Sequence, residues 1–296
     1  MLRRSFLTAT GAAIAASAAA QSNRSKFRLR YGPHPNMFRS SAGEDIIDQI
    51  RFSADQGFTG WEDNGAMSRP PEMQSKIGET LQKNGMLMGV FVAYADFNSS
   101  DFVTKTDKAF HEKMQGIMRN AVECAKRVGA KWTTVVPGAV NNRIDPGYQL
   151  ANCITNLRAM CEICEPAGLV MVLEPLNWYA NHPGLFLRSV PQAYAICKAV
   201  KSPSCKILND LYHQQIDVGN LIPNLEKGWD ETVYIQTGDN PGRKEPTTGE
   251  INYKNIFKWL HDHKYEGVIG MEHGNSKPGK EGEMAVIAAY RECDSF

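Results

Sequence analysis

The sequence predicts a single (β/α)8 TIM barrel preceded by a removable leader, and three observations carry that expectation. Between residues 26 and 296, short β-rich runs alternate with amphipathic stretches eight times. Gly57, Gly85, Gly129, Gly168 and Gly267 each stand just ahead of a β-rich run, where a helix C-cap calls for a left-handed residue. The first strand-to-helix turn, Tyr31-Gly32-Pro33-His34-Pro35-Asn36, lacks the G-x-G-x-x-G that cradles a dinucleotide in an open doubly wound sheet. A closed barrel is therefore preferred, and with no low-complexity linker in 26–296 it reads as one domain.

The leader comes first. Arg3-Arg4, then Phe6-Leu7, precede an uncharged run from Ala9 to Ala20 that ends in Ala18-Ala19-Ala20. The run is too short to span a bilayer, and its small-residue ending is what a signal peptidase reads, so residues 1–20 are expected to be a signal peptide cut near Ala20. The arginine pair resembles a twin-arginine export signal, which implies a bacterial periplasmic destination.

The units follow in order. A strand at Phe27 to Tyr31 leads to a helix over Gly43 to Gln56, and Gly60 to Glu62 to a helix from Pro70 to Asn84. Leu87 to Tyr94 is read as one strand, followed by a long helix from Thr106 to Val128. Trp132 to Val136 precedes a helix from Pro146 to Ala167, and Leu169 to Glu174 one from Pro191 to Val200. Lys206 to Asp210 is followed by a short helix over Asn220 to Glu226. Val233 to Gln236 with Tyr253 to Lys264, and Val268 to Glu272 with Glu281 to Cys293, complete the eight.

Composition narrows the function. With 42% hydrophobic and 22% charged residues the chain is globular, not disordered. Lys plus Arg number 33 against 32 Asp plus Glu, and loss of Arg3 and Arg4 with the leader leaves 31 against 32, a mature net charge of −1. That is no footprint for a nucleic-acid backbone, so a small-molecule partner is expected, with no membrane span in the mature chain and room for assembly into a homo-oligomer. The seven cysteines, Cys124, Cys153, Cys161, Cys164, Cys197, Cys205 and Cys293, are an odd number and imply no disulfide framework. Cys161 and Cys164 have C-x-x-C spacing but lie in a helical stretch with no second pair to complete a zinc site.

In a (β/α)8 barrel chemistry sits at the C-terminal tips of the strands. Four successive tips are Glu174, Asp210, Gln236 and Glu272. Three carboxylates and an amide brought to one rim would repel unless a cation joined them, and an all-oxygen set favours a hard ion, Mn2+ or Mg2+. Such an ion can chelate a carbonyl and the adjacent hydroxyl, making an enediolate accessible, with Glu174 and Glu272 as base and acid. Returning the proton to the neighbouring carbon is isomerisation, and returning it to the other face is epimerisation. His213, three residues after Asp210, is placed to polarise a substrate hydroxyl. Arg243 could fork onto a substrate carboxylate, and Glu62 is read as binding a sugar hydroxyl or capping the loop through Asp63-Asn64.

The runs Leu173-Glu174-Pro175-Leu176-Asn177, Asn209-Asp210-Leu211-Tyr212-His213, Ile235-Gln236, Asn240-Pro241-Gly242-Arg243, Thr248-Gly249-Glu250-Ile251-Asn252-Tyr253 and Met271-Glu272 resemble hydroxypyruvate isomerases of the xylose-isomerase-like sugar isomerase and epimerase superfamily. The resemblance implies one divalent metal on Glu174, Asp210, Gln236 and Glu272, with both glutamates in proton transfer. It also implies a ketoacid or keto-sugar as substrate. Related keto-sugar epimerases commonly carry His where Gln236 stands, so Gln236 leans to the hydroxypyruvate-isomerase side. An exported relative could instead be a keto-sugar 3-epimerase or process keto-glycosides. A non-catalytic sugar-binding barrel is the alternative from another class. Metal-dependent DNA-repair endonucleases share the architecture but use many His ligands, against seven His in this chain.

Overall fold

A computed structural model describes residues 26–296; the expected leader at 1–20 lies outside the described residues. The strands are β1 Arg30–Gly32, β2 Gly60–Trp61, β3 Leu87–Met88, β4 Val92–Ala95, β5 Trp132–Val136, β6 Val170–Leu173, β7 Cys205–Asp210, β8 Thr232–Gln236 and β9 Val268–Gly270. Seven of them form one parallel sheet in the order β1-β9-β8-β7-β6-β5-β4, and β2 and β3 pair with each other. That pair closes the ring: Glu62 N–H donates to Pro33 O at 2.9 Å on the β1 side, and Asp63 N–H to Val90 O at 3.3 Å on the other.

The expected third strand, 87–94, is broken in two. Gly89 N–H donates back to Trp61 O, whereas Phe91 O accepts from Thr134 N–H, so the chain changes partner between them. Two other expectations are corrected. Asp210 is followed at once by a helix, Leu211–Asp217, because its own carboxylate accepts the Tyr212 N–H and caps it. Gly267 is not in the left-handed region; Lys264, at φ 57°, takes that conformation just after the helix Tyr253–Asp262. Helix ends elsewhere follow local chemistry. Asp107 caps Lys108–Val128 by accepting the Phe110 N–H, and the helix ends on Gly129 at φ 73°. Its buried face, Phe110, Met114, Met118, Ala121, Ala125 and Val128, recurs at helical spacing and packs against the barrel wall. Asp145 caps Pro146–Cys164 in the same way. All seven cysteines are buried free thiols, Cys161 and Cys164 on that helix.

Inside the barrel, Val90, Val172, Leu208, Tyr234 and Val268 form an apolar plug. Side chains of a strand alternate between its two faces, so the residue two positions on from each plug member also points inward, one layer nearer the C-terminal mouth. From Val172, Leu208 and Tyr234 that step leads to Glu174, Asp210 and Gln236; from Val268 it leads to Gly270 and then Glu272. No helix among the described residues is long and apolar enough to cross a membrane.

Candidate active site

Glu174, Asp210, Gln236, Glu272, His213, Arg243 and Glu62 come together above the plug. Ligand atoms of Glu174, Asp210 and His213 lie within 4.8 Å of one another, and all three residues are buried. Glu272 is tied to the same group through Arg243, whose Nη2 stands 3.0 Å from Asp210 Oδ2 and 2.8 Å from Glu272 Oε2. In sheet order β6 and β9 flank β7 and β8, so Glu174 and Glu272 approach Asp210 from opposite sides.

Crowding carboxylates in a desolvated space disfavours their charged forms. Burial first, then the charges of Glu272 and Asp210, hold Glu174 well above the ordinary carboxylate range. Burial also pushes Glu272 up to about 7, against the pull of Arg243. Glu272 thus holds and releases a proton near neutrality, where a general acid or base works best.

His213 is buried, and its protonation pattern is fixed from behind. Nδ1 accepts from the Asn177 side-chain amide at 2.6 Å and faces the Asn177 backbone N–H at 3.3 Å, while Asn177 Oδ1 accepts from Ala180 and Asn181 N–H groups. The ring proton is thus on Nε2, which faces Asp210 Oδ2 at 3.6 Å, beyond hydrogen-bond length. Burial lowers the ring's pKa to about 4, so the imidazole is neutral. A neutral ring with hydrogen on Nε2 offers a donor to the site, not a lone pair for a metal. Gln236 is the converse: its Nε2 donates to Glu62 Oε1 at 3.0 Å and its buried Oε1 has no partner. That orphaned carbonyl oxygen, with three carboxylates, is a donor set suited to a hard cation.

Arg243 differs from the expectation of a fork free for substrate. Its Nη2 bridges Asp210 and Glu272 and its Nε donates to the Glu272 carbonyl at 3.1 Å, with Tyr212 stacked 4.9 Å from the guanidinium. Glu62 also differs. It is fully buried, and its carboxylate is engaged by Gln236 Nε2 and by Tyr234 Oη, which donates to Oε2 at 2.8 Å. Burial and the Glu272 charge push it up to about 8.

Sequence reasoning missed Asn64, which donates to Glu272 Oε1 at 3.3 Å, and the bracing roles of Asn177 and Tyr234. Asn177 lies in a run singled out for its neighbours, and Tyr234 is two residues before Gln236 on the inward face, the signal that could have found it. The loop carrying Arg243 is tied down by Asp239, whose carboxylate accepts the N–H groups of Asn240, Gly249 and Ile251.

A family model described as a xylose isomerase-like TIM barrel matches residues 50–293. A Xenopus laevis protein named for hydroxypyruvate isomerase is 37% identical over 40% of this chain and 44% of its own length. The hydroxypyruvate isomerase of Escherichia coli is 30% identical over 52% of this chain and 59% of its own length. The chain thus spans about half the length of these curated relatives in the matched stretches. Among solved structures, a 3-keto-D-glucoside 4-epimerase from E. coli superposes with TM-score 0.73 at 18% identity, covering 90% of this chain and 100% of that one, a likeness of fold.

Proposed function

Since the chain belongs to the xylose isomerase-like TIM barrel family, we propose that it is a metal-dependent isomerase that moves a proton between adjacent carbons of a small hydroxy-carbonyl substrate, as a hydroxypyruvate isomerase does. The observation that carries the reading is the pair Glu174 and Glu272, two glutamates with raised pKa values on either side of Asp210. A relative named hydroxypyruvate isomerase at 30% identity supports the substrate class.

Glu174, Asp210, Gln236 and Glu272 would hold the cation, Mn2+ or Mg2+ by the hardness of four oxygen donors. When bound, it supplies the positive charge that stabilises the oxygens of the enediolate. The chain's own residues do the rest. Glu174 takes the proton from one carbon and Glu272 returns one to its neighbour; burial raises both carboxyls, Glu272 to about 7. His213 Nε2–H donates to a substrate hydroxyl, and Asn177 keeps the ring turned for it. Arg243 holds Asp210 and Glu272 in place and balances part of their charge. The leader-like residues 1–20 add the proposal that the protein works in the periplasm; N-terminal sequencing of a periplasmic fraction tests it.

Solvent deuterium incorporation, followed by mass spectrometry with Mn2+-loaded protein, tests the activity. Hydroxypyruvate should take up deuterium, and chelation should stop it. Uptake confined to pentuloses, hexuloses or 3-keto-glycosides would replace the ketoacid by a keto-sugar, and no uptake by any of them would leave a non-catalytic sugar-binding barrel.

A further inference from the structure

We infer that Glu62, with Tyr234 behind it, is a positioning residue that fixes which end of the Gln236 amide faces the carboxylate cluster. The inference rests on the cation-site reading above and adds to it a residue outside the ligand set. An amide has two ends of nearly equal size, a carbonyl oxygen that can hold a cation and an NH2 group that repels one. The shape of a glutamine does not choose between them.

Here the choice is made from below. Gln236 Nε2 donates to Glu62 Oε1 at 3.0 Å, and Tyr234 Oη donates to Glu62 Oε2 at 2.8 Å. Both oxygens of Glu62 accept in this arrangement, one from Tyr234 Oη and one from Gln236 Nε2, so Glu62 takes the NH2 end of the amide and turns the carbonyl end away. The unpartnered, buried Oε1 of Gln236 is the result. Both oxygens of the buried Glu62 are taken by Gln236 Nε2 and Tyr234 Oη, so it acts through Gln236 and not on a substrate.

The barrel is hollowed out for this chain of contacts. Gly270 holds the inward position of β9 in the layer of Asp210 and Gln236, and a Cβ there would stand 1.9 Å from Glu62 Oε2 and 3.0 Å from Gln236 Cγ. A Cβ on Gly89 would stand 2.2 Å from Tyr234 Oη. Two absent side chains therefore make room for a carboxylate, a phenol and an amide to meet across the ring, from β2 to β8.

The test measures cation binding by the full chain: Mn2+ affinity from the electron paramagnetic resonance of the free ion, the visible d–d absorption of bound Co2+, and the Tm of the metal-free protein. Glu62→Gln can still turn an oxygen to the Gln236 amide while its NH2 donates to Tyr234 Oη, and with two orientations open to it should lose only about 2-fold in Mn2+ affinity and keep the wild-type Co2+ spectrum. Glu62→Leu offers none, and should lose about 10- to 100-fold in affinity, the range for removing an outer partner of a metal ligand, with an altered Co2+ band. Tyr234→Phe removes one brace and should fall between them, which keeps the test alive if Glu62→Leu does not fold. Unchanged affinity and spectrum in Glu62→Leu and Tyr234→Phe would overturn the inference. So would equal losses in Glu62→Gln and Glu62→Leu, which would make the charge of Glu62 the contribution and not its aim on Gln236. If the wild type takes up neither ion, the cation-site reading falls and the inference with it; wild-type binding with indifferent variants sinks the inference alone.

Discussion

Glu174 and Glu272 have the same functional group but different surroundings. Glu174 stands beside Asp210 and His213, while Glu272 is held by Arg243 and Asn64. Replacing either by Gln keeps the shape and removes the exchangeable proton. Glu174→Gln and Glu272→Gln should each fold and lose deuterium exchange by roughly 100- to 10,000-fold, the usual contribution of a general acid or base. Near-wild-type exchange in either variant would end its assignment. Arg243 invites a second substitution. Its guanidinium compensates Asp210 and Glu272, so Arg243→Ala should lower the Tm of chelated protein more at pH 8 than at pH 5, because Glu272, raised to about 7, is ionised at the higher pH. A Tm loss independent of pH would assign Arg243 to loop packing instead.

The loop between β8 and the helix Tyr253–Asp262 shows how an element is held without regular structure. Asp239 accepts three backbone N–H groups, its own N–H donates to Lys244 O at 2.7 Å, and Tyr253 Oη bonds both the N–H and the carbonyl of Gly238. Arg243 adopts φ 51°, a left-handed conformation costing a non-glycine residue about 1–2 kcal/mol, which these bonds offset. Asp239→Ala strands three donors and should cost about 2–4 kcal/mol, a Tm drop of roughly 5–15 °C in thermal unfolding. A drop of only a degree or two would show the loop to be held by its side-chain packing. The same loop marks how far the sequence could be read. Periodicity and cap residues placed the strands because burial imposes a period of two, and strand tips then placed Glu174, Asp210 and Gln236. The break at Gly89, the helix started by Asp210 and the burial of Glu62 were not legible. The break and the burial depend on contacts between distant segments, Gly89 with Trp61 and Glu62 with Tyr234 and Gln236, whereas the helix starts on a local cap, Asp210 on the Tyr212 N–H, at a residue already read as a strand tip. Arg243 was found by its motif, but its engagement with Asp210 and Glu272 needed the fold to bring residues 210, 243 and 272 together.

The whole molecule carries the consequence of concentrating these carboxylates at one end of the barrel. Glu272 is raised from an ordinary 4.5 to about 7 and Glu62 to about 8, both chiefly by burial. Between 4.5 and those values the folded, metal-free protein keeps protons that the unfolded chain has released. Stability therefore falls as pH rises through that window and the contribution is fully present only below it. A cation bound to the folded state reverses the cost, since it takes the place of the protons and does not bind the unfolded chain in the same way. Chelated protein should thus melt at a lower temperature at pH 8 than at pH 5. Saturating Mn2+ at pH 8 should raise the midpoint, by about 2.7 kcal/mol of added stability at 100 times Kd. Glu272→Gln, which removes one of the raised groups, should flatten the pH dependence of the chelated protein. A melting temperature that is flat between pH 5 and pH 8 under chelation would mean that Arg243 and the hydrogen bonds to Asn64 and Tyr234 already neutralise the cluster. The barrel would then bear no electrostatic load for a cation to relieve.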